Sequence, residues 1–285
     1  MSKLALIKKS IARDLLPRRR PDSHKGQNGR VLIVGGSIDY YGAPILSALG
    51  ALHSGVDIVY LYVPECNFDV ARSFYPDFIV RKYSGEYLVG RHVDEIIEFG
   101  KKCDSVLIGP GLGGREQTID AVVEIISKLQ IPTVLDTDAM MALKKIQKFP
   151  LQQPVIITPH KNEFRNLVER EIDVNENDPK SVVLLRSIAM DLHISILLKG
   201  PIDYVASEEG IVERNETGNA GMTVGGTGDV LAGVCASFLA QGLEVFDAVR
   251  CAAYFVGACG DYLYGKKGWY FSANDLALAL PLALM

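Results

Sequence analysis

The sequence predicts a doubly wound α/β fold, a mostly parallel sheet with helices on both faces. Three observations predict it. Short β-branched runs alternate with longer helical patterns, several of those runs are apolar without a break, and glycine-rich loops follow them directly. A strand that is apolar at every position is buried on both faces, as a parallel sheet covered by helices requires. The 285 residues, 48% of them hydrophobic, suffice for one such core, so a single domain over residues 1–285 is expected.

In chain order, residues 1–25 read as an N-terminal arm lying on the sheet. Strands are expected at Val31–Val34, Ile58–Val63, Phe78–Arg81, Val106–Ile108, Thr133–Leu135, Val155–Ile157 and Ile194–Leu198. A hairpin is expected at Asp203–Ala206 and Ile211–Arg214, turning across Ser207–Gly210. Helical periodicity marks Ala43–Ser54, Val93–Phe99, Gln117–Leu129, Ala139–Gln147, Glu163–Glu169, Lys180–Met190, Val230–Ala240 and Val245–Leu263. Ser272 with Asp275 three positions later is a capping box that starts a final docked helix.

Composition narrows the function classes. A formal net charge of −4 gives no general attraction to nucleic acid or to a membrane surface. Five cysteines without a C-x-x-C pair argue against a disulfide framework and against a zinc site. With no signal-peptide pattern at the amino end, a reducing, cytoplasmic setting is expected. The basic cluster Arg18-Arg19-Arg20 reads first as a solvated loop.

In an open α/β sheet, ligands bind where loops leave the carboxyl ends of the strands. The strongest loop is Gly225-Gly226-Thr227-Gly228-Asp229, which opens the apolar helix Val230–Ala240. Small residues let a ligand approach the backbone, and the free amides of a helix start, with the helix dipole, form an anion site. No Lys-Ser/Thr follows the glycines, so this is not a Walker A loop. A carboxylate beside bound phosphate is costly unless it acts. Asp229 can accept the proton of a hydroxyl that attacks a terminal phosphoryl group, or it can merely favour the helix start.

Gly109-Pro110-Gly111-Leu112-Gly113-Gly114 satisfies G-x-G-x-x-G, with Asp136 about twenty residues on. A NAD-dependent oxidoreductase of Rossmann type is therefore an alternative, although Pro110 stiffens the loop and the 225–228 turn is left without a task. Thr158-Pro159-His160-Lys161-Asn162-Glu163 follows a strand and can bind substrate and help position Mg2+ through water, or it can be an ordinary helix start. Lys199-Gly200 stands at another strand end, within reach of a nucleotide phosphate. Gly35-Gly36-Ser37 precedes Tyr40-Tyr41, which can stack on a ring or simply pack. Gly260 to Lys267 nearly spells a P-loop but lacks its Ser/Thr and a preceding strand.

In this order these loops, with Ser23-His24-Lys25-Gly26, Tyr41-Gly42-Ala43, Leu135-Asp136-Thr137-Asp138-Ala139 and Thr217-Gly218-Asn219-Ala220-Gly221-Met222, resemble the ADP/ATP-dependent NAD(P)H-hydrate dehydratases, a branch of the ribokinase-like class. The resemblance runs from about Asp22 to Leu280. It implies a ribokinase-like catalytic domain in which ADP or ATP, with Mg2+, phosphorylates the C6 hydroxyl of hydrated NADH or NADPH. Phosphate then leaves and the dinucleotide is restored. By matching position it implies Asp229 as the base and Gly228 as a nucleotide contact, with Lys199, Gly200, Pro201, Ile202 and Asp203 lining the nucleotide site. It further implies Ala43, Gly113, His160 and Asp229 at the hydrated dinucleotide and Glu163 as a metal-organising carboxylate. A homo-oligomer, with a tetramer favoured, and an epimerase supplied by a separate protein are also implied. Lys161-Asn162, Thr137, Ala220 and Pro201-Ile202-Asp203 depart from the usual wording. An ordinary kinase of the same fold for a sugar or vitamin alcohol stays open, as does a nucleotide sensor without activity. His160 favours the dehydratase branch, because sugar kinases of the class prefer Asn there.

Overall fold

The computed structural model describes residues 4–170, 173–175 and 177–284. Among these residues ten strands form one sheet: β1 (Ala5–Leu6), β2 (Arg30–Val34), β3 (Ile58–Pro64), β4 (Phe78–Tyr83), β5 (Ser105–Ile108), β6 (Thr133–Leu135), β7 (Val155–Ile157), β8 (Ser195–Leu198), β9 (Asp203–Ala206) and β10 (Val212–Asn215). Their order across the sheet is β1-β10-β9-β8-β7-β6-β5-β2-β3-β4. The seven strands β2 to β8 run parallel, β9 returns antiparallel beside β8, and β10 pairs antiparallel with β9.

Unbroken apolar runs did mean burial on both faces. Val31 and Ile33 of β2 join Leu61, Leu107, Val134, Ile156 and Leu197 in one core layer. Leu32 and Val34 point the other way, into a second layer with Val106, Ile108, Leu135, Ile157 and Ile196. On the first face lie α1 (Lys9–Leu15), α2 (Gly42–His53), α8 (Thr227–Ala240), α9 (Val245–Lys267) and α10 (Ala273–Leu284). On the second lie α4 (Val93–Gly100), α5 (Glu116–Lys128), α6 (Lys161–Val168) and α7 (Pro179–Leu192). The expected capping box starts α10: the Ser272 backbone N–H donates to Asp275 at 2.8 Å, and the Asp275 N–H donates to Ser272 Oγ at 3.1 Å.

Three elements differ from the sequence reading. The segment Ala139–Gln147 is not an α-helix, and a 3-10 helix occupies Thr137–Lys144 instead. Thr137 leaves β6 with φ of 51°, a left-handed turn that tightens the backbone after it. A further helix, α3 (Glu65–Phe74), buries only Asn67 and Ala71 and so writes almost no apolar stripe into the sequence. The N-terminal arm reaches the sheet edge: β1 pairs parallel with β10, and α1 packs on α9. Its first three residues, like Met285 of the apolar tail, lie outside the described residues.

The arginine cluster holds that arm down. Arg19 donates to the Gly55 carbonyl at 2.7 Å and pairs with Asp57 at 3.0 Å, while Arg20 grips Asp22. The near P-loop at Gly260 to Lys267 is the last two turns of α9, with no loop to wrap a phosphate. Among the described residues no helix is long and apolar enough to cross a membrane.

Candidate active site

The chain leaves β2 in one direction through β3 and β4, then crosses back to lay β5 on the other side of β2. This reversal opens a crevice at the carboxyl ends of β2 and β5. Glycine loops line it. The Gly36 N–H donates to the Pro110 carbonyl at 2.8 Å, tying the two loops together. Ala43, in the first turn of α2, lies against Gly111, and Gly113 faces open space. Tyr40 and Tyr41 do not pack into the core: each is 59% exposed at the crevice.

The dinucleotide-fingerprint reading fails on placement. In a Rossmann sheet the fingerprint follows the first strand of the doubly wound core, which here is β2. The sequence Gly109 to Gly114 follows β5, across the switch point. Gly109 and Gly111 serve packing: a Cβ on Gly109 would lie 1.9 Å from the Asp136 carbonyl oxygen, and one on Gly111 2.9 Å from Tyr40 Cβ.

The 225–229 turn opens α8 as its sequence suggests. Gly226 is the N-cap with φ of 98°, a conformation glycine adopts without a Cβ clash. The amides of Thr227, Gly228 and Asp229 form the first turn and have no carbonyl four residues back within the helix. The Thr227 hydroxyl donates to the Met222 carbonyl at 2.8 Å, which ties the first turn to the segment before it.

Asp229 sits in that first turn beside Lys199, Asp136 and Glu163. Burial raises its pKa, and the Asp136 and Glu163 charges add to this against the opposing pull of Lys199. The result is a carboxyl pushed up to about 7. Lys199, at the end of β8, is 19% exposed, and its Nζ lies 3.3 Å from Asp136 Oδ1. Burial disfavours its charge, but Asp136, Glu163 and Asp229 outweigh that and hold its pKa above the ordinary lysine value. A Cβ built on Gly228 would stand 3.2 Å from Lys199 Nζ, so the cation lies against the start of α8.

The neighbouring strand ends complete the group. His160 caps α6: its Nδ1 accepts from the Asn162 and Glu163 amides, each at 3.1 Å. Glu163 reciprocates by accepting the His160 backbone N–H at 2.7 Å. With Nδ1 an acceptor, the neutral ring carries its proton on Nε2. That side chain is 54% exposed, and its Nε2 lies 3.5 Å from Glu163 Oε1. A parallel bridge sets His160 beside Lys199, and the Lys199 amide donates to the Pro159 carbonyl at 2.8 Å.

Within the stretch 199–203, Gly200 and Pro201 are exposed and Ile202 packs against the second core layer. The Asp203 carboxylate is spent internally, accepting from the Gly200 amide at 3.0 Å and from Asn215 at 3.1 Å. Burial pushes it up to about 6. The Asp203 side chain thus shapes the loop rather than facing out of it.

Reading the sequence for site residues missed the pair Asp136 and Thr158. Asp136 is 1% exposed and accepts the Thr158 hydroxyl at 2.5 Å. An acidic residue closing an apolar strand was the available signal. Among the described residues no group of three or more His, Cys, Asp or Glu side chains is arranged to hold a metal ion.

A glycine turn opening a helix, a half-buried carboxyl raised towards neutrality and a lysine on one doubly wound sheet stand beside what comparison with known proteins finds. The family description NAD(P)H-hydrate dehydratase matches residues 31–282. The chain belongs to the NAD(P)H-hydrate dehydratase family. It is 39% identical over 272 residues to the bifunctional NAD(P)H-hydrate repair enzyme Nnr of Methanothermobacter thermautotrophicus, covering 93% of this chain and 51% of that protein. The chain thus spans about half the length of the first such relatives. It is 34% identical to the ADP-dependent (S)-NAD(P)H-hydrate dehydratase of Cenarchaeum symbiosum, covering 97% and 95% of the two chains. The crystal structure of the ADP/ATP-dependent NAD(P)H-hydrate dehydratase of Bacillus subtilis, co-crystallised with ATP and Mg2+, superposes with a TM-score of 0.84. Identity to it is 28%, over 99% of this chain and 98% of that one. The fold is ribokinase-like.

Proposed function

We propose that this chain is a nucleotide-dependent hydro-lyase that restores NADH or NADPH from the hydrate. ADP or ATP phosphorylates the C6 hydroxyl, and phosphate is then eliminated. The observation that carries this reading is Asp229, a carboxyl held at about 7 in the first turn of α8, beside a lysine and a glycine turn. A base poised near neutrality accepts a hydroxyl proton more effectively than an ordinary aspartate.

The amides at 226–228 grip the terminal phosphoryl group, and Lys199 offsets the charge that spreads over its oxygens. Asp229 takes the proton from the C6 hydroxyl as that oxygen attacks phosphorus. AMP departs when ADP is the donor, and ADP departs when it is ATP. The new C6–O–phosphate bond then breaks while a proton leaves the adjacent ring carbon, which restores the double bond. Hydroxide is a poor leaving group at neutral pH and phosphate a good one, which is why a phosphoryl donor is consumed at all.

Ala43, Gly113 and His160 line the dinucleotide side of the crevice, and residues 199–203 with Gly225 to Gly228 line the nucleotide side. Glu163 suits an outer carboxylate for Mg2+: Mg2+ keeps several waters and is held largely by substrate phosphates, and one partly exposed carboxylate fits that demand. When bound, the ion supplies charge neutralisation on the phosphates.

Purified protein with Mg2+ and either ADP or ATP is expected to restore the reduced-nicotinamide absorbance from NADH hydrate. Absence of restoration with both nucleotides overturns the reading. Product that keeps its phosphate would instead indicate an ordinary kinase.

A further inference from the structure

We propose that Asp136 is a positioning residue for phosphoryl transfer: its buried carboxylate holds the Lys199 ammonium against the amino end of α8. This rests on the function proposed above. Four elements meet in the arrangement. Thr158, fully buried after β7, donates to Asp136 Oδ1 at 2.5 Å. The same oxygen receives Lys199 Nζ, from the end of β8, at 3.3 Å. That Nζ stands 3.2 Å from where a Cβ on Gly228 of α8 would lie.

A lysine has a flexible four-carbon stem, and one fixed carboxylate selects its rotamer. Asp136 is itself fixed twice over. Its backbone is pinned by the close approach of Gly109 and by the left-handed Thr137, whose hydroxyl donates to the Gly109 carbonyl at 2.9 Å. Its side chain is pinned by Thr158. A non-glycine residue held in the left-handed region is a strain that persists only where its surroundings over-determine it.

Stability does not explain the pair. Buried ion pairs are often no better than apolar residues of similar size. Among the described residues Asp136 Oδ2 has no hydrogen-bond donor, so even the carboxylate is only half satisfied. Lys199 has three N–H donors and spends one on Asp136, so two remain for an incoming phosphate. The charges facing Asp229 from the surrounding strand ends are Asp136, Lys199 and Glu163. Removing the Asp136 charge takes away a like charge and moves the acid limb of the rate profile to lower pH.

The test is a double-mutant cycle on the full chain with D136N and K199A, read on kcat and, by calorimetry, on ADP affinity. D136N is expected to lower kcat by about 30-fold, with the KM for the hydrate changed by less than about threefold. D136N/K199A is expected to be no more than about twofold worse than K199A, because the two changes remove one unit. T158V is expected to give a smaller loss in the same direction, and it enters the cycle in place of D136N should that variant fold poorly. Losses that simply multiply overturn the proposal. So does a D136N enzyme whose half-saturating Mg2+ concentration rises, because Asp136 would then be a metal ligand. The ADP-affinity cycle needs no hydrate, so it decides the Asp136 assignment even if the wild-type protein fails to repair NADH hydrate.

Discussion

The chain carries two glycine-rich loops that each run into a helix, and the two use glycine for opposite purposes. In the loop from Gly109 to Gly114, glycine lets backbone meet backbone. Gly109 sits against the Asp136 carbonyl, the Pro110 carbonyl accepts from Gly36, and Leu112 is buried. In the turn from Gly225 to Gly228, Gly226 packs on Leu46 and Ala273, but Gly225 and Gly228 keep space clear. Nothing lies within 4 Å of a Cβ on Gly225, and only Lys199 Nζ lies near Gly228. The helices differ to match. α5 is amphipathic and half exposed, whereas α8 is buried from Val230 to Ala240, which places its amino end in the interior of the site. A match to a glycine pattern reports that the backbone comes close to something. Only the surroundings say whether that is the protein or a ligand.

This contrast can be broken by substitution. The largest effect is expected at Gly109. Alanine there meets a carbonyl oxygen at 1.9 Å with φ of 136°, and G109A should lose about 4 kcal/mol or more of stability in denaturant unfolding. A G109A protein of wild-type stability would mean that the first loop is not a packing device. Next is Asp229. D229A should lose on the order of a hundredfold in turnover while ADP binding by calorimetry survives. Retention of most turnover would remove Asp229 from the role of base.

The same carboxyl gives a smaller effect on stability. Its folded pKa of about 7 lies above the unfolded value of 3.8, so the native state holds the proton more tightly. Stability from this group is therefore full below pH 4 and is lost as pH rises through about 7. D229N removes that loss: the variant should be the more stable at pH 8, with the gap closing towards pH 4. A gap that widens on acidification would contradict the raised pKa. Smallest of all is Gly225, with open space and no left-handed φ. G225A should change stability by less than about 0.5 kcal/mol, measured by thermal unfolding.

Much of this was legible in the chain itself. The apolar runs marked β2, β3 and β5 to β8 because burial on both faces leaves a signal that survives without tertiary knowledge, and the turn at Ser207–Gly210 marked the β9–β10 hairpin. The 225–229 turn was legible because glycines, a carboxylate and an apolar helix are consecutive there. What escaped depends on contacts between distant positions. Thr158 and Lys199 lie 22 and 63 residues from Asp136, and nothing local says that the three share one buried site. Asp203 read as a nucleotide contact, yet its carboxylate turns inward to Gly200 and Asn215. The Arg19 anchor was equally hidden, since Asp57 lies on a turn far along the chain. α3 has too few buried positions to write a stripe.

The most direct measurement is a crystal structure with ADP bound. The account predicts the β-phosphate within hydrogen-bond distance of the amides at residues 226–228, with Lys199 Nζ on the same phosphate. Phosphates seated on the Gly109–Gly114 loop instead, away from α8, would contradict it.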